Sequence, residues 1–319
     1  MKRLLALTLC VLVVAVLPAC RRATVQPTSQ PTLTPTPRST PLPEVPTAIP
    51  FGAEDNPIHM AFPIRESAGS ARARQQAADE LETAILQDSG LVVVVDLVDS
   101  DAEAVAALCD SVAGTVTVAW LNGIAYAAAS AQDCGEAVLQ AERGGSTVEE
   151  AVLIANRDAG ISGVDGLANK NFCRVSVTDF YSWLMPTLIL ATNDLNTAAF
   201  RSVTDFEDSA ALLDAVASGD CDAAGVSGSD YDTLASSNVE RLPGSVNVPI
   251  AILTYPPDLP LGQRTTLTAA MIAIGNGTRA DLLDPMLDQD GIVDVDQGEI
   301  SAVRGFLNRA GVDLTTLGS

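Results

Sequence analysis

The amino-acid sequence predicts an α/β protein of two lobes, each a mainly parallel sheet flanked by helices. Three observations point there. Apolar runs of strand length alternate with stretches of helix formers through most of residues 56–319, the rhythm that builds parallel sheets covered on both faces. The rhythm resumes at Ala151, and a late strand-like segment, Val248 to Thr254, leads the chain back toward the first series. With 319 residues, 47% of them hydrophobic, the chain is too long for one small core and fits about two domains.

Residues 1–19 read as an export signal. Lys2 and Arg3 precede an apolar run from Leu4 to Leu17 that is too short for a membrane span of about 20 residues. The run ends Leu17-Pro18-Ala19-Cys20, which resembles the lipobox of bacterial lipoproteins and implies lipidation of Cys20. The alternative is a signal-anchor helix. Both place the globular part outside the cytoplasmic membrane, in the cell envelope. Residues 20–50 form the tether: positions 24 to 50 hold eight prolines and seven threonines, which favour an extended path reaching roughly 80 Å.

In the first lobe, residues 51–150 and 248–319, strands are expected at Ile58 to Phe62, Leu91 to Val98, Val116 to Trp120 and Ala137 to Ala141. Helices are expected at Ala71 to Leu86, from the capping box Ser100-Asp101-Ala102-Glu103 to Leu108, and at Ile124 to Ala131. The second lobe, residues 151–247, offers strands at Ala151 to Ala155, Phe172 to Val177, Arg201 to Val203 and Ala223 to Val226. Its helices are read at about Phe180 to Ala191 and at Glu207 to Ala217, with Thr204 and Glu207 as a second capping box. After the strand at Val248 to Thr254 come helices near Gln263 to Ile274 and Glu299 to Arg309.

Four cysteines remain beyond Cys10 and Cys20. In an exported chain an even number suggests disulfides, and the expected pairs, one in each lobe, are Cys109–Cys134 and Cys173–Cys221. Beyond residue 50 the chain carries 39 acidic residues against 13 basic, a surface that repels nucleic-acid phosphates and anionic headgroups. Contact with the membrane is expected through the lipid alone, and the expected state is a monomer. Hydrolytic chemistry lacks its parts. Gly225-Val226-Ser227-Gly228-Ser229 misses the second glycine of a nucleophile elbow by one position, and His59 is the sole imidazole. The acids Asp284, Asp288, Asp290, Asp294 and Asp296 lack the glycine placement of a calcium loop. No enzyme activity, metal or cofactor is expected.

Four segments resemble the phosphate/phosphite/phosphonate-type substrate-binding lipoproteins of ABC transporters, type 2 periplasmic binding proteins. Val118-Ala119-Trp120-Leu121-Asn122-Gly123-Ile124-Ala125-Tyr126 is similar to the family's strand ending in Trp-Leu-Gly-Pro and followed by a tyrosine. Arg157-Asp158-Ala159-Gly160-Ile161 with Gly166-Leu167-Ala168-Asn169-Lys170 resembles its Arg-x-Asp-Ser-Gly-Ile and Asp-Leu-Lys-Gly-Lys segments. Ala215 to Ala223 follows its Ala-Val-x-x-Gly-x-Val-Asp-Ala, and Asp290 to Asp296 its Gly-Phe-x-Pro-Val-Asp stretch. The resemblance implies a two-lobed clamp that closes on a small-molecule ligand and passes it to an ABC permease. A sensor or envelope interaction module that transports nothing is the rival reading.

The family grips its anion with Ser-Thr-Ser on a loop opening a helix. Here the corresponding stretch reads Thr178-Asp179-Phe180-Tyr181-Ser182-Trp183, and Asp101 stands where the family often has a tyrosine. A desolvated carboxylate there would repel a phosphonate. The candidate ligand-binding residues are therefore Tyr126, Asp179, Tyr181, Ser182, Thr178, Asp101, Trp183, Asn122 and Arg65, a set that suits a cationic or amphipathic ligand held by charge and aromatic faces. The competing roles are a helix-capping acid for Asp179, core packing for Trp183 and Phe180, and a solvated surface pair for Arg65 and Glu66.

Overall fold

The computed structural model describes residues 49–64, 70–110, 115–234 and 236–314. The signal, Cys20, the tether and Arg65 lie outside the described residues. Strand β1 (Ile58–Pro63) leads through helix α1 (Ala71–Ser89) to β2 (Val93–Val98), α2 (Asp101–Cys109), β3 (Val116–Leu121), α3 (Gly123–Ala131) and β4 (Glu136–Glu142). Each of these helices starts at a side chain that accepts from its own first turn: Ser70 from Ala73, Ser100 from Glu103, Asn122 from Ile124 and Ala125. Glu103 of the capping box accepts from the amide of Asp99 at 3.0 Å, one residue ahead of the cap.

The chain then crosses to a second sheet made of β5 (Val148–Asn156), β6 (Asn171–Arg174), β7 (Ser202–Asp205), β8 (Ala223–Ser227), β9 (Val239–Arg241) and β10 (Val246–Pro249). Between these strands lie α4 (Met185–Ala191), preceded by a wide π-helical turn at Phe180–Leu184, α5 (Ser209–Ser218) and α6 (Gly228–Thr233). The return strand β11 (Ile252–Tyr255) rejoins the first sheet, and α7 (Leu261–Gly275), α8 (Asp284–Leu287), β12 (Gly291–Asp294) and α9 (Gln297–Arg309) complete the fold. None of the described helices is long and apolar enough to cross a membrane.

The two-lobed α/β architecture matches the expectation, but the sheets are mixed and not mainly parallel. The first has the order β12–β4–β11–β3–β1–β2, the second β10–β5–β8–β6–β7 with β9 also on β5. Only β1 with β2 and β3, and β6 with β7 and β8, pair in parallel. The crossings explain the rest. Strand β11 enters between β3 and β4 running against both, and β5 enters the second sheet against β8.

Val248 to Thr254, expected as one strand, is two. Strand β10 belongs to the second sheet and β11 to the first, with the change made at Ile250 and Ala251, where Ile250 N–H donates to Thr147 C=O (3.0 Å) and Ala251 C=O accepts from Ala141 (2.9 Å). Residues 148–150 and 248–249, assigned to the first lobe from the sequence, therefore lie in strands of the second sheet. The second capping box is also displaced: Thr204 sits in β7, and Asp208 caps α5 by accepting from Ala211 N–H at 2.8 Å. A competent cap nearer the helix wins.

Apolar clusters lie on both faces of each sheet. Phe62, Trp120, Leu139 and Tyr255 pack with Leu81, Ile85 and Met271 on one face of the first sheet, and Leu108, Leu121 and Ile252 on the other. Phe306, Val303 and Leu307 of α9 join Ile124 and Ala127 of α3 in the cluster that also covers the second sheet, so these two helices tie the lobes together. Each such large side chain contributes about 1.5–3 kcal/mol on burial. Cys109 bonds Cys134, and Cys173 bonds Cys221, as expected, with Cα separations of 5.0 and 6.0 Å. Gly225 in β8 admits the π turn: a Cβ there would lie 2.3 Å from Cγ of Pro186 and 2.5 Å from the carbonyl oxygen of Tyr181.

Two predictions follow from this packing. Gly225→Ala should destabilise the protein by about 1–3 kcal/mol, read as a lower urea midpoint at unchanged slope. Tyr255 is fully buried with its hydroxyl 3.1 Å from Oγ1 of Thr268, and burial pushes its phenol up to about 12 against the weaker pull of Thr268 and Arg264. The unfolded phenol titrates near 10. Stability from this group is thus whole below about pH 10 and is lost as the pH climbs to about 12. In urea melts across that window, Tyr255→Phe should remove a loss of about 2–3 kcal/mol.

Candidate functional site

The carboxyl ends of β1, β2 and β3 in one lobe, and of β6 and β8 in the other, are where open α/β sheets place ligands. At the first lobe Asp101 opens α2 and Asn122 opens α3. Asn122 Nδ2 donates to Asp101 Oδ2 at 2.8 Å, and its amide N–H to Asp101 Oδ1 at 3.4 Å. Its Oδ1 accepts from the amides of Ile124 and Ala125, both at 2.9 Å. The Ile124 and Ala125 amides of α3 are thereby taken by the chain itself. Tyr126, one turn on, is buried with Ala104 and Val105 of α2 and Ile300 of α9. Gly123 lets this helix start against the crossing, since a Cβ would lie 2.5 Å from Cδ of Pro249.

In the second lobe Asp179 is the cap of the π turn, its Oδ1 accepting from Ser182 N–H at 2.6 Å. That is the capping role weighed against a ligand role from the sequence. Ser182 is buried, and its hydroxyl accepts from Val175 N–H at 2.9 Å. Thr178 is exposed, with its hydroxyl 3.1 Å from that of Ser176. Trp183 packs with Phe172 and Phe200, and the Arg174 guanidinium covers its ring at 4.1 Å. Its aromatic face is therefore occupied. Tyr181 meets Phe180 edge-on at 4.9 Å.

The junction itself holds a charged cluster that sequence reasoning missed. Arg143, just beyond β4, binds Asp288 through Nη1 and Glu149 through Nη2. Glu149, only 8% exposed, also accepts from the amide of Ser229 at 3.0 Å. Burial alone would lower the Arg143 guanidinium, but Asp288 and Glu149 outweigh it, and the net effect lifts it above its ordinary value. Nearby, Glu299 of α9 accepts from Gln140 Nε2 (2.6 Å) and Thr147 Oγ1 (2.7 Å), while Asp290 accepts from Gly144 N–H (3.0 Å). The arrangement brings Asp101 to Asn122, Thr178, Asp179 and Ser182 into one turn, and Tyr181 to the junction. Tyr126 and Trp183 belong to the same turns, but their side chains are engaged in packing. The acids of the C-terminal stretch serve the junction through Asp288 and Asp290. No sequence signal marks Arg143 and Glu149, because they stand on either side of the crossing between β4 and β5, where no periodic pattern runs through both.

No curated protein compared by sequence matches this chain. Among solved structures it is similar to a Xanthomonas citri protein bound to chloride (TM-score 0.61, 12% identity, 80% of this chain and 97% of that one). It is also similar to a binding-protein component of an ABC phosphonate transporter from Pseudomonas aeruginosa (0.55, 16%, 82% and 86%). A third is PhnD1 from Prochlorococcus marinus in complex with methylphosphonate (0.53, 15%, 80% and 97%). At these identities the likeness concerns the fold. The family profile described as ABC transporter, phosphonate, periplasmic substrate-binding protein matches residues 60–299. The chain belongs to that family of substrate-binding proteins.

Proposed function

We propose that this protein is a lipid-anchored extracytoplasmic solute-binding protein, held by Cys20, that closes its two lobes on a small cationic or amphipathic ligand and delivers it to an ABC importer. Phosphonate is not the ligand on this reading. The observation that carries it is the state of the helix starts: at α3 the Ile124 and Ala125 amides are already accepted by Asn122, and at the π turn the Ser182 amide is accepted by Asp179, a carboxylate. An anion arriving there would displace a neutral cap or face a carboxylate, whereas a cation gains from Asp101 and Asp179.

Closure is a shift between open and closed populations, driven by the ligand's greater affinity for the closed form. The two crossings, residues 143–147 and 250–251, are the segments about which the lobes turn. Asp101 and Asp179 supply charge from opposite lobes, and Tyr181 supplies an aromatic ring beside the junction. No bond of the ligand is made or broken.

A thermal-shift screen over amines, polyamines, nucleosides, metal cations, phosphonates and oxyanions tests this. A ligand at about 100 times its dissociation constant adds about 2.7 kcal/mol, enough for a clear rise in melting temperature. A rise with amines or other cations is expected; a rise with phosphonates or phosphate alone overturns the ligand assignment. A folded protein that no small molecule stabilises would favour the sensor or interaction-module reading. Asp179→Ser keeps a capping oxygen and removes the charge, and should weaken the stabilising cation by about tenfold in calorimetry.

A further inference from the structure

Among the described residues, Glu149 is the one charged side chain that the fold buries. Its two oxygens are held from the two sides of the junction. Oε2 meets Arg143, at the end of the first sheet's β4, and Oε1 accepts from the Ser229 amide in the second lobe. Arg143 does not need Glu149 for charge balance, because Asp288 already occupies its other arm. A guanidinium arm and a backbone amide, converging on one carboxylate, form the donor set that an oxyanion would take from solvent. Glu150, the next residue, turns away to pair with Arg241, so the inward placement belongs to Glu149 alone.

We propose that Glu149 is a specificity residue whose carboxylate stands in the place of a ligand's anionic group, closing the cleft floor to phosphonates and other oxyanions. The inference rests on the solute-binding reading and adds to it the means of exclusion. Asp101 and Asp179 repel an anion at the helix starts; Glu149 occupies the donors at the junction. Removing the carboxylate leaves Arg143 and the Ser229 amide facing an unfilled volume about the size of the lost side chain, and a small oxyanion can satisfy both.

Isothermal titration of the full chain with methylphosphonate, inorganic phosphate and sulfate tests the assignment in wild type, Glu149→Ala and Glu149→Gln. Glu149→Ala should bind at least one of the three with an affinity at least about tenfold above wild type. Adding Arg143→Gln to that variant should abolish the gain, and Glu150→Ala should show none. Either wild-type binding as tight as that of Glu149→Ala, or no gain in either variant while both melt cooperatively, overturns the proposal. If neither variant folds, the wild-type titration decides, since heat of methylphosphonate binding there contradicts a filled site. Failure of every solute in the thermal-shift screen would strike the solute-binding reading and leave the gain in Glu149→Ala to be read separately.

Discussion

The double crossing between the sheets carries one carboxylate, Glu149, out of water just after the chain enters the second sheet, and the Arg143 ion pair is what makes that burial tolerable. A lone carboxylate at the depth of Glu149 would carry a desolvation cost of several kcal/mol; the pairing with Arg143 and the Ser229 amide offsets it. Arg143 in turn takes Asp288 from the segment ahead of β12, and Asp290 takes the Gly144 amide, so the first crossing is pinned to the C-terminal part of the chain. Glu299 repeats the arrangement on the other side, joining Gln140 at the end of β4 to Thr147 inside the crossing. The start of α3 can lie against Pro249 only because residue 123 is glycine.

On this frame the chain keeps its family's architecture while changing who occupies the donors. Helix starts in both lobes lie at the carboxyl ends of strands, where Asn122 accepts two amides of α3 and Asp179 one of the π turn. A fold shared with phosphonate-binding proteins does not by itself carry their ligand, because recognition resides in a few donors and their partners. The π turn at Phe180–Leu184 belongs to the same pattern. It seats its backbone on Gly225 and leaves Tyr181 at the junction, while Trp183 is drawn into an aromatic cluster with Phe172, Phe200 and Arg174.

Much of the architecture was legible in the sequence, because it is written in periodic apolar runs and capping residues. The strands from β1 to β4, the helix from Ser100 and both disulfide pairs were each readable from local pattern or from cysteine placement. The direction of β11 was not, since Val248 to Thr254 is evenly apolar on either side of the break at Ile250 and a continuous run carries no mark of which sheet each half joins. Short elements such as β9 and α6 hold too few residues for a period to show. At the site, Asp101, Asn122 and Asp179 were found through the resemblance, and chain proximity then revealed that they bond to each other or to their own turn. Arg143 and Glu149 carry no such mark because a crossing separates them, and in sequence a charge in a connection or at a strand start is indistinguishable from a solvated one until the fold brings Asp288 beside Arg143.

The two disulfides divide along the same line as the sheets. Cys109 and Cys134 fasten the far ends of α2 and α3 within one half, and Cys173 and Cys221 fasten β6 to the entry of β8 within the other. Neither covalent bond spans the hinge. Each disulfide thus stiffens one half alone, and among the described residues the covalent links from one sheet to the other are the main-chain crossings themselves.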